Sequence, residues 1–145
     1  MRLPVLILMA CALYGAWDWW HERGPGAAAA TAAMTSDNGF VPVAMPGGTP
    51  RNAVLVLAPR NCPSDQAQRT EALVAALSRA GVPVVRGDGF SFDVANPTRE
   101  QMQAMDRTVE VFKRGAPAVY VNGMGMSNPS AAQAIAEYRA TRARR

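Results

Sequence analysis

Residues 115–123 read GAPAVYVNG, and this stretch decides the fold. Its first glycine ends a helical pattern, and its proline introduces a short apolar strand. Asn122-Gly123 is a dipeptide that two-residue hairpin turns favour. Met124 to Met126 then supplies a short partner strand. The stretch predicts an antiparallel hairpin whose first strand runs from Pro117 to Val121.

An apolar run and a cysteine lie upstream of this hairpin. Residues 53–58 read AVLVLA, which is typical of a strand covered on both faces. Cys-Pro-Ser-Asp follows at residues 62–65 and opens a helix predicted from Ser64 to Ala80, which Gly81 ends. A second strand at residues 82–85 is reached by a crossover connection, which indicates parallel pairing.

Two further helices and an edge strand complete the pattern. Thr98, with Gln101 three residues on, predicts the start of a helix that ends near Arg114. An apolar stripe on this helix is formed by Met102, Met105, Val109 and Phe112. Asn128 is predicted to cap a last helix that carries Pro129 in its first turn. Residues 40–44 predict a short edge strand, because Pro42 cannot donate to a neighbouring strand.

The element order from Ala53 onward is strand, helix, strand, helix, strand, strand, helix, which is an α/β fold. With Cys62 at the first helix start and Pro117 before the third strand, this order resembles the thioredoxin-like three-layer fold. Cys62-Pro63 and residues 116–123 are similar to segments of glutaredoxins. The resemblance covers roughly residues 53–141.

The resemblance implies a functional site. Cys62 corresponds to the attacking cysteine and Pro117 to a cis proline. Ala116 would present its backbone to an extended peptide or to glutathione by strand addition. Pro63 and Ala118 complete the predicted binding residues.

The motif departs from dithiol proteins, because Asp65 stands where their second cysteine lies. A helix N-terminus favours a thiolate, whereas Asp65 opposes it and Arg60 partly offsets Asp65. The preferred hypothesis is therefore a redox-inactive module that binds an extended peptide or an envelope partner and needs no cofactor. The alternative is a monothiol thiol–disulfide oxidoreductase that uses Cys62 as nucleophile and glutathione or a partner thiol to resolve the mixed disulfide.

The N-terminus carries the targeting signal. Arg2 precedes the uncharged apolar run of residues 3–17, and Trp17, Trp19 and Trp20 are suited to a membrane interface. We expect residues 1–23 to be a signal anchor that holds the chain in a bacterial-type inner membrane through residues 3–20. Residues 24–38 read as a flexible linker, and residues 39–145 as the domain, on the periplasmic side. Secretion after signal cleavage is the alternative.

Charge and composition exclude several classes of protein. The formal net charge is +4, and it falls to zero without Arg139, Arg142, Arg144 and Arg145, so no nucleic-acid partner is expected. The single histidine, His21, lies outside the domain, which excludes histidine-assisted nucleophilic catalysis there. No spacing of His, Cys and carboxylates predicts a metal site. The two cysteines, Cys11 and Cys62, fall in different segments and are not expected to pair.

Overall fold

The computed structural model describes residues 9, 11–17, 32–60 and 64–144. The chain divides into two compact units, Met1–Met34 and Thr35–Arg145. Cys62 and Pro63 lie outside the described residues, as do most of the predicted linker and much of the predicted anchor.

The first unit contributes helical residues 11–17 and 32–34. The side chains of residues 11–17 are exposed, and the Cys11 thiol is free. Among the described residues, no helix combines the length and the apolar character that crossing a bilayer requires.

The second unit is built on a mixed sheet of five strands. The strands are β1 (Val41–Pro42), β2 (Val54–Leu57), β3 (Val84–Gly87), β4 (Ala118–Val121) and β5 (Met124–Ser127). Their order across the sheet is β1-β5-β4-β2-β3. Only β2 and β3 pair in parallel; the other three pairings are antiparallel. The predicted edge strand is confirmed as β1, shortened to two residues.

The crossover between the parallel strands is the helix α1 (Ser64–Arg79). Gly81 follows it at φ 72°, a left-handed conformation that glycine adopts without steric cost. The chain then returns alongside β2, with Val54 opposite Val84. The predicted βαβ unit is confirmed, although its second strand begins at Val84 rather than at Val82.

The helix α2 (Arg99–Lys113) begins with the predicted capping box, in which Thr98 and Gln101 bond reciprocally. Its buried residues are Thr108 and Val111. Met102, predicted to lie on the apolar stripe, is instead 45% exposed. At 3.6 residues per turn, Met102 lies about a third of a turn away from the face that Thr108 buries.

The hairpin predicted at Asn122-Gly123 connects β4 and β5. Both turn residues have positive φ, 48° and 87°, as type I′ turns require. The tight pairing across this hairpin also explains why residue 125 is a glycine. A Cβ atom at that position would lie only 3.0 Å from Cδ1 of Tyr120.

The helix α3 (Ala131–Ala143) is capped by Ser130, not by Asn128 as predicted. Ser130 has the extended backbone that an N-cap needs, and its hydroxyl accepts from the Gln133 N–H at 3.2 Å. Asn128 instead adopts φ 48° and donates its backbone N–H to the Pro117 carbonyl at 2.7 Å. Asn128 therefore belongs to a turn that precedes the helix, and Pro129 lies before the N-cap residue.

Two apolar cores cover the two faces of the sheet, so the unit has three layers. Alternation along the central strands assigns each face: Val119 and Val121 point towards α1 and α3, while Ala118 and Tyr120 point towards α2. All four residues of β2 are buried. The prediction that this strand is covered on both faces is confirmed.

A short segment before β1 is bound to α3. The buried Glu137 carboxylate accepts hydrogen bonds from the Ser36 hydroxyl at 2.7 Å and from the Asn38 side-chain amide at 2.8 Å. The Gln133 side chain donates to the Asn38 carbonyl at 3.2 Å. Residues 35–38, which the sequence assigns to the linker, thus lie within the compact second unit.

Candidate functional site

The Ala116–Pro117 dipeptide lies at the end of the sheet where β2 and β3 finish and β4 begins. Leu57 is opposite Gly87 on one side and Ala118 on the other, so these strand ends are in register. The peptide bond before Pro117 is cis, as predicted. Ala116 is 8% exposed, and the Pro117 ring is fully buried.

Hydrogen bonds from β5 and the residue after it hold the loop that carries the dipeptide. The Ser127 hydroxyl donates to the Gly115 carbonyl at 2.9 Å, and the Asn128 N–H donates to the Pro117 carbonyl. Gly115 has φ 133°, a conformation that other residues rarely adopt. The carbonyls on both sides of Ala116 are therefore occupied.

Ala116 itself differs from its neighbours. Within the described part of the chain, neither its backbone N–H nor its C=O has a hydrogen-bond partner. Most backbone groups of buried residues have hydrogen-bond partners, so the Ala116 backbone is an exception. One donor and one acceptor on one residue are the pair that an added extended strand uses.

Space is available beside this backbone. A cavity of about 310 Å³ opens next to Ala116 and is lined by Leu57, Pro59, Gln66, Phe112, Lys113, Gly115, Ala116 and Ala118. The Phe90 ring packs edge-on against Phe112, with ring centroids 5.4 Å apart, and so supports one wall.

A second cavity, of about 470 Å³, adjoins Pro117. It is lined by Arg69, Ala72, Leu73, Pro117, Asn128, Pro129, Ser130, Ala131 and Gln133. Each residue of the dipeptide therefore belongs to the lining of one cavity.

Of the predicted site residues, Ala116 and Ala118 line the first cavity and Pro117 lines the second. Cys62 and Pro63 lie outside the described residues, so their distance to Pro117 stays untested. Pro59 and Gln66, which precede and follow them in the chain, both line the cavity beside Ala116.

Two ion pairs lie near the site. Arg60, assigned as a counter-charge to Asp65, forms its ion pair with Asp88, and both side chains are well exposed. Arg86 pairs similarly with Glu71. These two pairs flank a third cavity of about 390 Å³ at the ends of β2 and β3.

The lining residues that the sequence did not assign to the site include the polar side chains of Gln66, Arg69 and Lys113. Gln66 and Arg69 are three residues apart on α1, so helical periodicity from the Cys-Pro-Ser-Asp start places them on one face. Lys113 ends α2 only two residues before Gly115. Helix periodicity combined with proximity to the loop would have found them.

Tyr120 lies below the site in the core on the α2 side. Its hydroxyl donates to the Thr108 carbonyl at 2.8 Å, and burial raises the pKa of this hydroxyl above its ordinary value. The phenol therefore stays protonated at neutral pH and acts as a structural donor, not as a base.

Metal chemistry has no support in the described residues, which contain no group of three His, Cys, Asp or Glu able to hold an ion. The chemistry that the site offers is recognition through backbone groups, with cavities for side chains on both sides.

A scan against protein-family models, a search of curated proteins and a search of solved structures each find no match to this chain.

Proposed function

We propose that the second unit has a thioredoxin-like fold related to that of glutaredoxins. The proposal is supported by the sheet order β5-β4-β2-β3, with a parallel pair at one side and an antiparallel hairpin at the other. It is also supported by the crossover helix α1, by α2 on the opposite face and by the cis peptide bond at the start of β4.

The function that the geometry supports best is binding of an extended peptide. The observation that carries this proposal is the backbone of Ala116, whose N–H and C=O are free within the described residues beside an open cavity. A peptide residue paired with Ala116 in antiparallel fashion would satisfy both groups. Its neighbours would then point towards the two cavities.

Redox inactivity is part of the proposal. Asp65 stands in the first turn of α1 in place of a second thiol, so an intramotif disulfide has no partner cysteine. The expected counter-charge, Arg60, is engaged by Asp88. Both features remove support for a reactive thiol.

We further propose that the apolar run at residues 3–17 anchors the chain in an inner membrane, with the domain on the periplasmic side. The support is the sequence itself: Arg2, the uncharged run and the interfacial tryptophans. The mass of the mature chain tests this proposal, because a chain that begins near Ala30 would be a secreted product.

Strand addition has a direct test. Peptides selected against the full-length chain in detergent would be resynthesised with one backbone amide N-methylated at a time. Methylation of the amide that donates to Ala116 should weaken binding about tenfold, the value of one hydrogen bond, whereas methylation of either adjacent amide should have little effect. If N-methylation changed the affinity equally at every position, strand addition would be rejected.

A variant that fills the cavity provides the protein-side control. Ala116→Leu should abolish binding by occupying the space beside the backbone, while Ala132→Leu, at an exposed position of α3, should bind as wild type. Circular dichroism would verify that both variants are folded.

The second candidate is a monothiol oxidoreductase. It is favoured by the cavity that Ala116 lines together with Pro59, three residues before Cys62, and Gln66, four residues after it. In that reaction the Cys62 thiolate attacks one sulfur of a disulfide, forms a mixed disulfide with it and releases the other sulfur as a thiolate. A second thiol then attacks the substrate-derived sulfur of the mixed disulfide and releases the Cys62 thiolate.

The thiol pKa discriminates between the two candidates. In a Cys11→Ser background, alkylation of Cys62 against pH should show a pKa near that of free cysteine, and Cys62→Ser should retain peptide binding. A pKa well below the free value, together with loss of function in Cys62→Ser, would favour the enzyme.

A further inference from the structure

The end of α3 carries an unusual charge distribution. Arg139 and Arg142, which we call the arginine surface, are exposed and lie three residues apart on α3. Arg139 and Arg142 line a cavity of about 430 Å³ together with Ala80, Gly81, Val82, Tyr138 and Ala143. No carboxylate contributes to this lining.

These arginines lack counter-charges. Among the described residues, the arginines in ion pairs are Arg60 and Arg86, at the other end of the sheet. The nearest acidic residue in the helix, Glu137, is buried and directs its carboxylate to Ser36 and Asn38. Arg139 and Arg142 thus form no ion pair among the described residues, and the acidic residue in the segment bound to Glu137 is the exposed Asp37.

This surface lies at the end of the domain away from the peptide site. Ser130 and Ala131, at the start of α3, line the cavity beside Pro117, whereas Arg142 lies eleven residues further along, or about 17 Å at 1.5 Å per residue. The Asn122 amide in the hairpin turn donates to the Thr141 hydroxyl at 2.9 Å, so the arginine surface shares its end of the sheet with that turn.

The start of the domain is bound to the same helix. Ser36 and Asn38 bond to Glu137, two residues before Arg139 in the chain. The residues that precede this segment include the apolar run at 3–17. The tether towards the proposed anchor thus leaves the domain beside the middle of α3.

We propose that the arginine surface docks on the acidic phospholipid headgroups of the membrane that holds the N-terminal anchor. This inference rests on the proposed anchor and goes beyond the proposed peptide binding. Guanidinium groups pair bidentately with phosphate, and basic residues near an acidic bilayer are attracted over roughly a Debye length of 8 Å. Docking in this way turns the Ala116–Pro117 site away from the bilayer, where it is open to an extended peptide.

The test uses the full chain with a reporter at each end of α3. In a Cys11→Ser, Cys62→Ser background, Ala143→Cys or Asn128→Cys would carry a fluorescent label. Each protein would be reconstituted in vesicles of phosphatidylcholine alone or with one third phosphatidylglycerol. Quenching of the label by acrylamide, which is uncharged, measures how far the membrane shields it.

We expect the label at residue 143 to be quenched about twofold less in the acidic vesicles, with the shielding lost in 0.5 M salt. The label at residue 128 should be quenched equally in both lipids. Arg139→Gln with Arg142→Gln should abolish the shielding. Arg99→Gln with Arg114→Gln, which removes the same charge from exposed positions on α2 and its cap, should preserve it.

Equal quenching at residue 143 in both lipids overturns the inference, as does shielding that salt leaves unchanged or that also covers residue 128. Binding of duplex DNA through Arg139 and Arg142, without shielding by acidic vesicles, would reject the lipid assignment. Flotation with phosphatidylcholine vesicles in 0.5 M salt reports the anchor separately. A chain that floats only with acidic vesicles has no anchor and is held by its arginines alone, whereas a chain that floats with neither rejects both proposals.

Discussion

Glu137 is predicted to be a main determinant of the domain's stability, although it is a buried charge. It is 1% exposed, and one of its carboxylate oxygens accepts both the Ser36 and the Asn38 hydrogen bonds. A hydrogen bond to a charged group contributes about 1.5–3 kcal/mol. Because Ser36 and Asn38 are only half-buried, water replaces part of each bond, and we take the lower end for both. Glu137→Ala should therefore lower the free energy of unfolding by about 3 kcal/mol.

Urea unfolding of the full chain measures this change. All three tryptophans lie before residue 35, so the domain is followed by far-ultraviolet circular dichroism rather than by fluorescence. At a typical slope of 1–3 kcal/mol per molar urea, the midpoint should fall by about 1–3 M. Glu110→Ala, which removes an exposed carboxylate from α2, is the matched control and should change stability by less than about 0.5 kcal/mol.

A double-mutant cycle isolates the interaction from the packing of the side chain. Asn38→Ala combined with Glu137→Ala should give a coupling energy of about 1 kcal/mol or more. The reasoning would be refuted if Glu137→Ala were as stable as wild type, because the cost of burying the carboxylate would then equal the value of its two hydrogen bonds. A coupling energy near zero would likewise refute the assigned contact.

Three further predictions concern the sheet and the helix caps. Gly125→Ala should destabilise the domain by about 1–3 kcal/mol in thermal unfolding, because the new methyl group would meet the Tyr120 ring at 3.0 Å; an unchanged melting temperature would contradict this packing. Stability should fall as the pH rises above about 10, by up to about 1.4 kcal/mol per pH unit, because the unfolded state ionises Tyr120 while burial keeps the folded state protonated. Tyr120→Phe should reduce that slope, and an identical slope would exclude this tyrosine as its source. Ser130→Ala should cost about 1 kcal/mol in urea unfolding, since Ser130 is the N-cap of α3, whereas Asn128→Gly, at a left-handed position, should cost little; the reverse ranking would support Asn128 as the cap.

The main elements of the fold could be predicted because each has a local signal. The apolar run of β2, the capping box at Thr98 and the Asn122-Gly123 turn are set by residues close in sequence, and all three are present in the structure. The cap of α3 was mispredicted because both Asn128 and Ser130 have side chains suited to that role. Which of the two residues becomes the cap depends on the hydrogen bond from the Asn128 N–H to the Pro117 carbonyl. A pattern of neighbouring residues carries no information about that bond.

The remaining differences also arise from tertiary contacts. Thr108 is buried on α2 because its hydroxyl donates to the Ala44 carbonyl at 2.6 Å, and this fixes the helix face that leaves Met102 exposed. The segment at residues 35–38 has the composition of a linker, yet it is ordered on the domain by a glutamate about a hundred residues later. Hydrogen bonds between residues this far apart cannot be predicted from the residue pattern of a single sequence.

The two proposed functions depend on different kinds of chemical groups. Peptide binding uses the backbone N–H and C=O of Ala116, which do not depend on the identity of any side chain. An aspartate at position 65 in place of a second cysteine is therefore compatible with peptide binding but not with dithiol chemistry. Thiol chemistry depends on the Cys62 sulfur, and the nearest described arginine in the chain is already paired with Asp88. The motif has no second cysteine and Arg60 is engaged by Asp88, whereas the backbone groups that would bind a strand are free among the described residues. For this reason we place binding ahead of catalysis.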